Sequence, residues 1–113
     1  MKSILISIAL FTIGQSMIWF QTNGQFIWKW CKDHTLLMSL LGFPIAYIFI
    51  TATKYVVEGY DGELWPGRLI GFGCGIVTFG FFTWFYMSEG LTMKTVISVL
   101  IAIILVLIQV FWK

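Results

Sequence analysis

Apolar residues in this chain fall into four long blocks, residues 3–20, 36–53, 69–87 and 95–112, separated by shorter and more polar stretches. None of the blocks alternates with period two, and none carries the one-sided apolar stripe of a soluble surface helix. A helix needs about 20 mostly apolar residues to cross a bilayer. In lipid only helices and closed barrels satisfy every backbone N–H and C=O, and barrel strands alternate apolar with polar positions. The pattern therefore predicts an all-α membrane protein with four transmembrane helices. No linker or second domain is visible, so residues 1–113 read as a single four-helix transmembrane domain.

Local signals refine this outline. The first block follows Lys2 but leads into Trp19, Phe20, Gln21 and Thr22, not into a small-x-small cleavage site, so it reads as a retained helix. Residues 21–33 mix Phe26, Trp28 and Trp30 with Lys29 and Lys32. That mixture fits an interfacial belt; an aromatic lid over a cavity is the sharper alternative, and anchoring is preferred because Trp and Tyr gather at membrane interfaces generally. Gly42, Phe43 and Pro44 predict a kink in the second helix, since proline has no N–H and frees a carbonyl. Residues 54–67 form the most polar loop, and Pro66 is expected in the first turn of the third helix. The short segment 88–94 predicts an antiparallel hairpin between the third and fourth helices.

Composition strengthens the membrane reading. Of 113 residues, 59% are hydrophobic and only 11% charged, too little polar surface to cover a soluble core of this size. A net charge of +2 without any Lys/Arg cluster gives no phosphate track, so nucleic acid is not an expected partner. Two cysteines, Cys31 and Cys74, and one histidine make a poor metal set, and a disulfide between those positions is not expected. With four spans, Lys2, Lys54, Arg68 and Lys113 share one side, and Lys29, Lys32 and Lys94 the other. Four against three is scarcely a positive-inside bias. It leans towards cytoplasmic termini, and it is also the balance of a chain that inserts both ways.

Ionisable groups inside a membrane are the usual functional pointers, and none falls near mid-bilayer here. Glu58, Asp61, Glu63, Arg68 and Glu89 fall in loops or at helix ends, and His34 stands beside Asp33 in a loop. No Ser/His/Asp set, paired carboxylates or phosphate loop is present, so no catalytic residue, cofactor or metal is expected, and the chain does not read as an enzyme. Uncharged polar groups do enter the bilayer. Thr12, Gln15, Ser16 and Trp19 share a face of the first helix, where Tyr47 and Thr51 of the second and Thr78, Thr83 and Trp84 of the third are placed to meet them. Interhelical hydrogen bonding is the plainer reading, at about 0.6–2 kcal/mol each. A polar substrate passage is the functional one; for Gln15 neither prevails. The third helix also carries Gly67, Gly71, Gly73, Gly75 and Gly80. Such residues let helices pack closely, or weaken a helix so that it bends.

At this point the residues resemble the small multidrug resistance family of the drug/metabolite transporter superfamily. The most specific match is Gly73-Cys74-Gly75-Ile76-Val77, then six residues, Trp84, then four, and Glu89-Gly90-Leu91-Thr92. Ile13-Gly14-Gln15-Ser16 is similar to the family's I-G-T-T stretch, and Gly14-Gln15 to the G-Q of superfamily members that move lipid-linked sugars. The resemblance could cover the whole chain. It implies an antiparallel homodimer made by dual insertion, a central pocket between two copies of helices one to three, bending at Gly73 and Gly75, and dimer contacts from helix four. One departure is important. The family's proton- and substrate-binding carboxylate stands three residues before the helix-one glycine, and here that position is Phe11. Helix four also lacks the family's small-residue dimer motif, carrying Ile101, Ile104, Leu105 and Leu107 instead.

The expectation that results is a small transporter-like protein, multi-pass in the cytoplasmic (inner) membrane and surrounded by membrane lipid. It acts as a homodimer on a lipid-linked or neutral amphipathic solute, without a helix-one carboxylate. Phe11, Gln15, Tyr47 and Trp84 are the expected passage residues, and Gly73 and Gly75 the hinge. The alternative is a non-transporting structural or accessory subunit of a larger membrane complex.

Overall fold

In the computed structural model, which describes residues 2–112, the chain is built of helices and turns. Lys113, counted in the charge balance above, lies outside the described residues. Helix α1 spans Lys2–Asn23 and passes through a 3-10 turn, Gly24–Phe26, into the short α2, Lys29–Asp33, and α3, Thr35–Ser39. Then come α4 (Gly42–Gly59), α5 (Trp65–Met87) and α6 (Met93–Phe111). Four stretches are long and apolar enough to cross a membrane: Lys2–Phe26, Thr35–Gly59, Trp65–Met87 and Met93–Phe111. The chain is thus a multi-pass membrane protein.

Each break has a local cause. The second span is interrupted between α3 and α4 at Leu40 and Leu41. Pro44 cannot donate to the Leu40 carbonyl, and its ring crowds that carbonyl, so the kink expected at Pro44 falls one turn upstream. Gln21 of α1 donates to the Met38 carbonyl at 3.0 Å, serving a backbone acceptor beside the break. The second helix runs to Gly59, well past residue 53, and the expected loop of residues 54–67 shrinks to residues 60–64. Hydropathy falls at Lys54, but backbone bonding continues until Asp61 and Gly62, both with positive φ (55° and 92°), turn the chain back. Pro66 does sit in the first turn of α5, and α5 ends at Ser88 in the left-handed region, whose N–H bonds to the Thr83 and Trp84 carbonyls. Thr92 caps α6, its Oγ1 accepting from the Thr95 N–H at 3.4 Å.

The spans pack in the order α4–α1–α5–α6, with α4 also meeting α5. The Cα atoms extend 47 × 36 × 18 Å. Helix axes pack roughly 8–10 Å apart, so a square bundle would be about equally wide in both short directions. Dimensions of 36 and 18 Å instead describe a flattened layer. Its core is small: Phe11, Ala52, Val56 and Ile70 are buried together where α1, α4 and α5 meet. Glycines make this approach possible. A Cβ at Gly67 would collide with Val56 Cγ1, one at Gly14 would lie 3.0 Å from the Phe49 ring, and one at Gly71 3.2 Å from Phe11. Outside this seam large apolar side chains face outwards, Phe43 at 85% exposure among them, as lipid-solvated faces require.

Lys32, Asp61 and Gly90 lie exposed in three separate connections. With Cys31 and Cys74 replaced by alanine, cysteines introduced at these three positions should react with a water-soluble maleimide, and one at Ile101 within α6 should not. Failure of Asp61→Cys to react from either side of the membrane would overturn the topology.

Candidate functional site

Helical spacing divides α5 into two opposed faces. Arg68, Phe72, Gly75, Ile76 and Phe79 line a groove on one of them, and Ile70, Gly73, Cys74 and Val77 line a smaller hollow on the other. The groove has a volume of about 920 Å³. Its remaining walls come from Phe11 and Gln15 of α1, Phe49 and Thr53 of α4, and Leu105 of α6. A second hollow of about 630 Å³ continues it between α5 and α6, sharing Phe72, Ile76 and Phe79 and ending at Glu89, Thr92 and Lys94. Together they form one trough along α5, from Trp65 to Thr83. Eighteen residues at the helical rise of 1.5 Å span about 27 Å, close to the roughly 30 Å of a hydrocarbon core.

Gln15 is the polar group near the middle of this trough. Its Nε2 donates to the Gly71 carbonyl in a long, 3.4 Å bond, and the amide rests against Gly75, where a Cβ would stand 3.0 Å from it. The absence of a side chain at Gly75 is therefore what gives Gln15 its place. One turn along α1, Phe11 is buried against Gly71 and the Phe49 ring, with ring centroids 6.0 Å apart. Phe11 is thus part of the core packing. Arg68 lies near the end of the groove formed by Leu64 and Trp65, and no carboxylate is among its described lining residues. The far end carries both signs, Glu89 and Lys94.

The expected passage residues do not all meet. Phe11 and Gln15 line the trough with Gly75, but Tyr47 and Trp84 do not. Tyr47 is 71% exposed because α4 turns Ile45, Ala52 and Val56 inward, which places Tyr47 on its outer side. Trp84 is 61% exposed, on the side of α5 that also carries Val77. Gly73 and Gly75 both lie inside an unbroken α5, Gly73 packed on Val106 of α6 and Gly75 on Gln15. The polar face expected on α1 divides as well. Thr12 and Ser16 donate back to carbonyls one turn earlier, at 2.9 and 2.8 Å, whereas Trp19 Nε1 crosses to Thr83 Oγ1 at 3.1 Å. Trp19 also stacks on Phe82, and Trp28 packs on Phe20 and Tyr86, which ties part of the aromatic belt to the end of α5.

Sequence reasoning passed over Arg68, Thr53 and Phe49 as lining residues. Arg68 entered there only as one of the end charges; its spacing of four and seven residues from Phe72 and Gly75 was the available signal. Cys31 and Cys74 are free, and no group of three or more His, Cys, Asp or Glu that could hold a metal occurs among the described residues. No family model, curated protein or solved structure matches this chain.

Proposed function

We propose that this protein is a small transporter of the drug/metabolite type in the cytoplasmic membrane, carrying a lipid-linked or neutral amphipathic solute. The observation that supports it best is the trough itself: apolar walls nearly the length of the hydrocarbon core, with the Gln15 amide midway. An apolar tail gains nothing from entering such a wall in place of lipid, so the trough's use is to offer a polar headgroup a hydrogen-bonding stop during its crossing. Two copies in opposite orientation would enclose what a single flattened layer leaves open on one side, and bending of α5 at Gly73 and Gly75 would alternate the open end. Phe11 and Gln15 cannot ionise, so the crossing is not coupled to proton exchange on helix one.

A second reading has its own observation. Ala102 is the only buried residue of α6 among those described. A helix attached so lightly to its own chain also suits an accessory subunit that packs against a larger membrane complex.

Reconstituted vesicles separate these readings. Solute movement should be the same with and without an imposed pH gradient, survive Glu89→Gln and fall at least about tenfold in Gln15→Leu, the loss of one hydrogen bond in a low-dielectric site. Gradient-dependent movement abolished by Glu89→Gln would overturn the uncoupled mechanism. No movement of any amphipathic solute by a folded, dimeric protein would favour the accessory subunit.

A further inference from the structure

The two ends of the trough differ in charge, and that difference narrows its occupant. At the Trp65 end Arg68 is the charged residue among those lining the groove, with Thr53 of α4 contributing to the same walls. Asp61 and Glu63 lie nearby in sequence, in the connection between α4 and α5, but do not line it. Below Arg68 the walls turn apolar through Phe72, Ile76, Phe79 and Leu105. From Arg68 to Phe79 is eleven residues, about 17 Å of helix, which is slightly more than one leaflet's share of a roughly 30 Å core.

On the reading that the trough takes an amphipathic solute, we infer that its occupant is a lipid whose phosphate headgroup carries net negative charge, the phosphate held by Arg68 and one tail lying along α5. A guanidinium offers a planar pair of N–H donors that matches two phosphate oxygens, and charge-assisted bonds of this kind are about twice as strong as neutral ones. A zwitterionic lipid brings its own cation to the same place, where no lining carboxylate receives it. A lipophilic cation meets Arg68 directly and is repelled. The site therefore selects for anionic amphiphiles and against cationic ones.

The full chain, purified in an uncharged detergent, is titrated with phosphatidylglycerol and separately with phosphatidylcholine, each bearing a fluorescent tail. Phosphatidylglycerol should bind roughly tenfold or more tightly. Arg68→Gln should remove that preference, Arg68→Lys, which keeps the charge but not the planar pair of donors, should keep only part of it, and millimolar inorganic phosphate should not displace the lipid, which marks the tail as part of recognition. Leu64→Glu leaves Arg68 in place and sets an acid in the groove beside it, so it should also lower the preference, should Arg68→Gln fail to fold. Leu105→Trp fills the groove from the lightly packed α6 and should weaken both lipids. Equal binding of the two lipids, unchanged by Arg68→Gln or Leu64→Glu but weakened by Leu105→Trp, overturns the headgroup assignment and leaves the amphipathic groove standing. Binding that also ignores Leu105→Trp overturns the groove reading itself.

Discussion

A Gly67→Leu chain should lose about 2–3 kcal/mol of stability, because the substitution overpacks the tightest glycine contact among the described residues. Gly67 is buried at the start of α5, and a Cβ there would already collide with Val56 Cγ1 of α4. Val56 is itself fully buried, and its branched side chain has few rotamers into which to retreat. Relief requires α4 and α5 to separate, which would also loosen the packing of Ala52 and Ile70 with Phe11 of α1. Gly80 supplies the contrast: nothing lies within 4 Å of a Cβ built there. Gly80→Ala should be neutral or stabilising, since alanine favours a helix over glycine by about 1 kcal/mol. Unfolding in detergent, followed by tryptophan fluorescence, measures both. Equal stability of the two variants would mean that α4 and α5 do not meet at Gly67 and Val56.

The same seam explains which parts of the architecture were legible in advance. Four spans, the Pro44 kink, Pro66 in the first turn of α5 and the tight connection to α6 each follow from a strictly local property: block length, a missing N–H or a short loop. The ends of helices were less legible. Hydropathy reports where lipid ends, whereas a helix ends where its backbone bonding is diverted, and α4 carries Lys54 and Glu58 for more than a turn beyond its apolar block. The flattened layer was not legible either, because the choice of neighbour depends on which glycine faces which bulky residue on another helix, as Gly67 faces Val56 of α4 and Gly71 faces Phe11 of α1.

The candidate site divides along the same line. Gln15 and Phe11 stood out in the sequence because each departs from a pattern, one as a polar group in an apolar helix and the other as an apolar residue where the resemblance would place a carboxylate. Tyr47 and Trp84 were chosen for residue type, and residue type does not say which face of α4 or α5 turns inward. That is set by Ala52, Val56 and Gly71, small or compact residues that pack and so rotate the larger aromatics outward. Arg68 was missed for the opposite reason. A cation near a span's end has an ordinary explanation in topology, and only the groove beside it gives it a second use.

The largest functional effect should come from charge placement. If the working unit is an antiparallel pair, the four-to-three distribution of Lys and Arg keeps both orientations populated, and small changes should abolish one of them. Glu58→Lys with Glu63→Lys changes the balance to six against three; Gln25→Lys, Leu91→Lys and Met93→Lys change it to four against six. All five residues are exposed, so folding should be little affected. Maleimide labelling from one side should show wild-type chains in both orientations and each variant in one. Neither variant alone should dimerise or transport, and co-expression of the two should restore both. Geometry adds an independent check on α6. In an antiparallel pair crossing near Ala102, Leu100 of one copy meets Ile104 of the other, so Leu100→Cys and Ile104→Cys chains should cross-link when mixed, whereas Ile97→Cys should not link to itself. A wild-type chain found in a single orientation, or a fixed-orientation variant that works alone, would rule out the antiparallel pair.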